Sequence, residues 1–96
     1  MLTHIVCWKY KPEINESQRE EHRKMLCELV RHIPEIIKLN VGKDVLGMPR
    51  SFDSGLVATF TNRESLSIYT DNAEHQKVAV LGREIAEQIV SVDFEE

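Results

Sequence analysis

Cysteine is scarce in this chain: Cys7 and Cys27 are the only two, and they form no CxxC pair. That removes a disulfide framework and a thiolate zinc site from consideration. Basic residues do not dominate either. Twelve Lys+Arg stand against sixteen Asp+Glu, a net charge of −4, so the chain lacks the basic face by which nucleic-acid and membrane-surface binders are recognised. No apolar run exceeds about five residues, against roughly 20 for a bilayer span. The first residues carry no basic segment followed by an apolar stretch and a small-residue cleavage site. Nothing there points to export, and a cytoplasmic location is the expectation. Dinucleotide, NTP and serine-hydrolase signatures (G-x-G-x-x-G, the P-loop, G-x-S-x-G) are all missing. Only four Gly and three Pro accompany 42% hydrophobic residues, which excludes a disordered chain. At 96 residues there is room for one small domain, taken as 1–96.

What is present is an ordered alternation of patterns. Leu2–Tyr10 reads as a strand, with Leu2, His4, Val6, Trp8 and Tyr10 on one face and Thr3, Ile5, Cys7 and Lys9 on the other. A helix follows, opened by a capping box of Asn15 with Gln18 or of Ser17 with Glu20, and closed by Pro34. Its apolar stripe is Met25, Leu26, Leu29, Val30 and Ile33. Ile36–Val41 reads as a second strand and Gly55–Thr61 as a third, joined by a loop. Asn62 or Thr61 caps a short helix through Tyr69, and Asp71–Asn72 breaks and restarts the chain. From His75 onward, Val78, Ala79, Gly82, Ile85, Ala86 and Ile89 form a helical stripe, and Ile89–Phe94 alternates as a last strand.

The order β-α-β-β-α-β is the ferredoxin-like arrangement, an α+β fold with an antiparallel four-stranded sheet and helices on one face. The first and third strands are apolar on both faces, while two helices cover only one. The uncovered face therefore predicts a second copy of the chain, a homodimer. The face bearing His4, Val6 and Trp8 is expected to point into the space between the copies. Cys7 is expected as a small buried hydrophobe facing the helices, and Cys27 on a helix flank.

Four segments in order, His4-Ile5-Val6, Val41-Gly42-Lys43-Asp44, Tyr69-Thr70-Asp71-Asn72-Ala73-Glu74-His75 and Val92-Asp93-Phe94, make the whole chain resemble the stress-responsive A/B barrel family of dimeric α+β barrels. The resemblance implies a homodimer whose two sheets face each other and close a barrel. Members of that family include stress-induced plant proteins with no assigned reaction and a polyketide cyclase. In the cyclase a Tyr and a His six residues later sit at the mouth of an apolar pocket, and Tyr69 and His75 match them. His4 matches a strand-1 His lining the same pocket. Two positions depart from the pattern: Asn72 and Ala73 replace the first His and the Pro of a His-Pro-x-His motif, and Ser54 stands where the cyclase has a third-strand His.

Each candidate also has a structural role open to it. His75, near a helix N-terminus where the macrodipole disfavours imidazolium, is either a general base or a capping residue. His4 either meets a ligand and Tyr69 or is a hydrogen-bonded core residue. Val6 and Trp8 are pocket-wall residues or plain core. Asn72 reads as an N-cap, and His22 and His32 read as solvated or capping. Two functions are expected in consequence. One is a homodimer with an apolar small-molecule pocket and no reaction. The other is a cofactor-free cyclase or lyase acting on a carbonyl-bearing, polyketide-like substrate through His75, Tyr69 and His4. Neither calls for a metal, a cofactor, nucleic acid or a membrane.

Overall fold

The structure, a computed structural model, describes residues 1–96. Strands β1 (Leu2–Tyr10), β2 (Lys38–Lys43), β3 (Ser54–Phe60) and β4 (Ala86–Glu95) form one antiparallel sheet in the order β2-β3-β1-β4. Helices α1 (Glu16–Glu28), α2 (Arg63–Asp71) and α3 (Ala73–Ile85) complete the ferredoxin-like fold. No helix is long and apolar enough to cross a membrane.

Local chemistry sets the boundaries. Asn15 and Gln18 make the reciprocal capping box that starts α1, so the Ser17–Glu20 alternative is not used. The α-helix stops at Glu28, before Pro34, and tightens into a 3-10 turn over Leu29–Arg31. Val30, expected on the apolar stripe, is about half exposed there, while Leu29 and Ile33 are buried. Strand β2 begins two residues later than its apolar run suggested, because Ile36 is buried in the preceding turn and Ile37 bonds Thr59 outside the regular ladder. Asn62 caps α2 by accepting from the Ser65 amide, and Asn72 caps α3. At its far end α3 passes into β4 with no intervening loop, so Ala86 and Ile89 belong to the strand rather than to the helical stripe.

The two faces of β1 are assigned opposite to expectation. Leu2, Trp8 and Tyr10 are buried beneath the helices, together with Leu56, Ala58 and Phe60 of β3. His4, Val6 and Trp8 therefore face the helix layer of their own protomer, not the space between two copies. Cys7 is half-buried on the opposite, uncovered face, where it pairs with Gly55 and Val90. The residues of that face include Ile5, Val57, Val90, Val92 and Phe94, and the last four are 41–53% exposed in the single chain. Both faces are apolar, so alternation alone could not tell them apart.

His22 is also reassigned. It is wholly buried, not solvated. The Tyr10 hydroxyl donates to Ser54 Oγ at 3.0 Å and meets His22 Nδ1 at 2.7 Å. With the single phenolic proton directed at Ser54, the ring donates through Nδ1–H, and Nε2 is a buried atom without a hydrogen-bond partner. Arg23 joins the network by donating to Ser54 Oγ at 3.0 Å and to Glu16 at 2.6 Å. Burial holds the His22 ring neutral, with its pKa lowered to about 4 and the Arg23 charge pushing the same way. Gly82 of α3 lies directly above: a Cβ there would sit 3.1 Å from Trp8 Nε1 and 3.3 Å from His22 Nε2.

Candidate functional site

Between the covered sheet face and α3 lies a cavity of about 230 Å³. His4, Val6 and Trp8 of β1 form its floor, Tyr69 and His75 one end, and Val78, Ala79 and Arg83 of α3 its wall, with Ile89 and Ser91 of β4 alongside. The five residues singled out from the sequence thus line one space, but a space inside the protomer. A larger hollow of about 510 Å³ lies on the open face beside Cys7, Lys43 and Asp44; it holds neither a His nor a Tyr, so the three candidates His4, Tyr69 and His75 all belong to the smaller one. No group of three His, Cys, Asp or Glu side chains is arranged to hold a metal.

His75 owes its position to the break at Asn72. The Asn72 side chain accepts from the Glu74 amide at 2.8 Å and the His75 amide at 3.4 Å, starting α3 at the required point. The ring then bonds the chain just before that break. Its Nδ1 lies 3.1 Å from the Thr70 carbonyl oxygen. A carbonyl only accepts, so Nδ1 carries the proton and the neutral ring keeps its lone pair on Nε2. Burial lowers the His75 pKa; the Thr70 bond opposes that, and the His4 and Arg83 charges add to it. The residue is a neutral base at ordinary pH.

Tyr69 packs against it with the rings tilted at 43° and their centroids 4.3 Å apart, and it also packs on Phe60 at 5.1 Å. Burial pushes the Tyr69 pKa up to about 12, so the phenol stays protonated and serves as a hydrogen-bond donor. His4 approaches Tyr69 edge-on at 5.8 Å. Its Nδ1 is hydrogen-bonded to a carboxylate oxygen of Asp93, its cross-strand neighbour on β4. That bond fixes the ring and leaves Nε2 as the other nitrogen available to a ligand.

Asp93, Thr70 and Arg83 were not singled out from the sequence. Asp93 had a readable signal, because the closing strand alternates and Asp93 falls on the side opposite Val92. The Thr70 contact is made by a backbone carbonyl and leaves no trace in residue type. The departures at Asn72 and Ser54 do different work here: Asn72 caps α3, and the Ser54 hydroxyl accepts from Tyr10 and Arg23, away from the cavity.

Comparison with known proteins bears on the family and the fold. The family described as Stress responsive A/B Barrel Domain matches residues 2–96. Olivetolic acid cyclase of Cannabis sativa is 28% identical over 95 residues, covering 97% of this chain and 94% of that protein. Among solved structures, a dimeric ferredoxin-like protein of unknown function from Thermobifida fusca superposes with a TM-score of 0.90 at 21% identity, over 99% of this chain and 90% of the other. Hydroxynitrile lyase from Passiflora edulis gives 0.87 at 18% identity, over 97% and 90%. At those identities the structural likenesses establish the fold alone.

Proposed function

The chain belongs to the stress-responsive A/B barrel family, and on that premise we propose that it is a cofactor-free acid–base enzyme for an apolar carbonyl compound held in the 230 Å³ cavity. The observation that carries this reading is the Nδ1–Thr70 bond of His75, which leaves an imidazole lone pair beside a protonated phenol at a cavity wall. Tyr69 donates its O–H to the substrate carbonyl. His75 Nε2 takes the proton from the adjacent carbon, and the C–H electron pair becomes the enolate that Tyr69 stabilises. His4, its Nδ1–H held by the Asp93 carboxylate, turns Nε2 toward the ligand as a positioning contact. In a cyclisation the enolate carbon attacks a second carbonyl of the same molecule, and the proton on His75 goes to the resulting alkoxide. A relative named as a cyclase supports this class of chemistry.

Two copies pair through the open sheet face in this reading. Val57, Val90, Val92 and Phe94 are each more than two-fifths exposed on that face, an apolar patch suited to a partner, and structural neighbours described as dimeric support self-association.

Deuterium wash-in at the α-carbons of 4-phenylbutan-2-one, followed by NMR, tests the chemistry. Wild type should accelerate exchange, His75→Gln should abolish the acceleration by roughly 100-fold or more, and Tyr69→Phe should weaken it. A ketone that binds, by thermal shift, without any accelerated exchange would make the protein a binding module rather than an enzyme.

A further inference from the structure

The cavity has one permanently charged lining residue, Arg83. No Asp or Glu lines the cavity, and Asp93 approaches it only through His4. Arg83 takes part in none of the seven ion pairs of the chain and in no side-chain hydrogen bond, unlike Arg19 and Arg23, which are both engaged. Its place in the last turn of α3 suits the helix dipole. The dipole accounts for a cation at this end of the helix but not for one turned toward the cavity side. His75, Ala79 and Arg83 follow each other at i, i+4 and i+8 along α3, and all three line the cavity. Eight residues of helix separate the Cα atoms of His75 and Arg83 by about 12 Å along the axis, and the small Ala79 side chain between them leaves the path open.

We propose that Arg83 binds the carboxylate of a monoanionic substrate at the end of the cavity away from His75 and Tyr69. The ligand is then a keto acid whose carboxylate lies several bonds from the reacting carbonyl. A single guanidinium, with no other Lys or Arg lining the cavity, matches one negative charge, and its planar fork matches a carboxylate. A phosphate dianion would meet too few donors. This inference rests on the proposed function, since it supplies the far anchor that sets which α-carbon meets His75.

The test compares 5-oxo-5-phenylpentanoate with its methyl ester by calorimetric titration, on wild type, Arg83→Gln and Arg83→Lys. The acid should bind wild type about fivefold more tightly than the ester, the scale of a solvent-exposed ion pair, and the preference should shrink with added salt. It should vanish in Arg83→Gln and survive in Arg83→Lys, while ester affinity stays level across all three. Equal binding of acid and ester to wild type, or an acid preference intact in Arg83→Gln, overturns the assignment of Arg83 and leaves the catalytic reading standing. If neither compound binds wild type, the cavity reading falls and this inference with it.

Discussion

His22 offers a quantitative check on the packing between α1 and the sheet. Its pKa is lowered from 6.5 to about 4 because the ring is buried against Tyr10, Trp8 and Gly82 with no room for a counter-charge. The unfolded chain binds a proton at this position below pH 6.5, whereas the folded chain refuses it until about pH 4. Stability attributable to this group is therefore unaffected above 6.5, falls as pH drops between those values, and levels off below. The loss is about 2 kcal/mol by pH 5 and about 3 kcal/mol by pH 4. His22→Asn keeps a polar group where Nδ1 meets the Tyr10 hydroxyl and removes the titration. Urea unfolding at fixed protein concentration, read on the fluorescence of Trp8, the single tryptophan, gives the stability of both proteins from pH 7.5 to 4.5. The variant should start about 1–3 kcal/mol weaker for its lost ring volume and then converge on wild type as the pH falls. Carboxylates and His75 are shared by the two proteins and cancel in the difference. A wild-type minus variant difference that stays flat across that range refutes the claim that His22 is held neutral by burial.

Other outcomes follow from the same coordinates. Gly82→Ala recovers about 1 kcal/mol of helix propensity but places a Cβ 3.1 Å from Trp8 Nε1 and 3.3 Å from His22 Nε2, an overpacking cost of about 1–3 kcal/mol. Its Tm should fall by a few degrees, and a rise would show that the helix layer has slack there. Val92→Lys puts a charge on the open face without touching the core; sedimentation should give the 11.1 kDa chain mass where wild type gives twice that, and a persistent dimer would place the interface elsewhere. Because burial lowers the His75 pKa, base activity depends on a ring that stays neutral below pH 6.5. The acid limb of the deuterium-exchange rate on 4-phenylbutan-2-one should accordingly lie under 6.5, and a limb at or above it would assign the base to another residue.

The order of elements was readable because each carries its own period and its own stop. Asn15 with Gln18, Asn62 and Asn72 mark all three helix starts by the chemistry that caps them. The covered face of β1 was not readable, since Leu2, Val6 and Trp8 compete with Ile5 and Cys7 at equal strength and only the helix layer decides between them. His22 was legible in principle: it precedes Leu26 by four residues and Leu29 by seven, on the same stripe, and Tyr10 satisfies one nitrogen of its polar ring there. His4, Tyr69 and His75 were named through the family pattern, and the structure brings them to one cavity. The carboxylate beside His4 depends on the register His4↔Asp93, a pairing across nearly the whole chain that no local spacing encodes.

Strand β1 supplies the floor of the cavity with its even-numbered residues and part of the open face with its odd-numbered ones. Cavity lining and outer surface are thus written as interleaved letters in one nine-residue stretch. Point substitutions can retune either face while leaving the other's letters untouched, so ligand preference and self-association are free to drift independently over evolutionary time. A single-residue deletion in the same stretch has the opposite character: every residue on one side of it changes face, so cavity and open-face positions there are exchanged together. Register, rather than the identity of any one residue, keeps the two sets of side chains on their own faces.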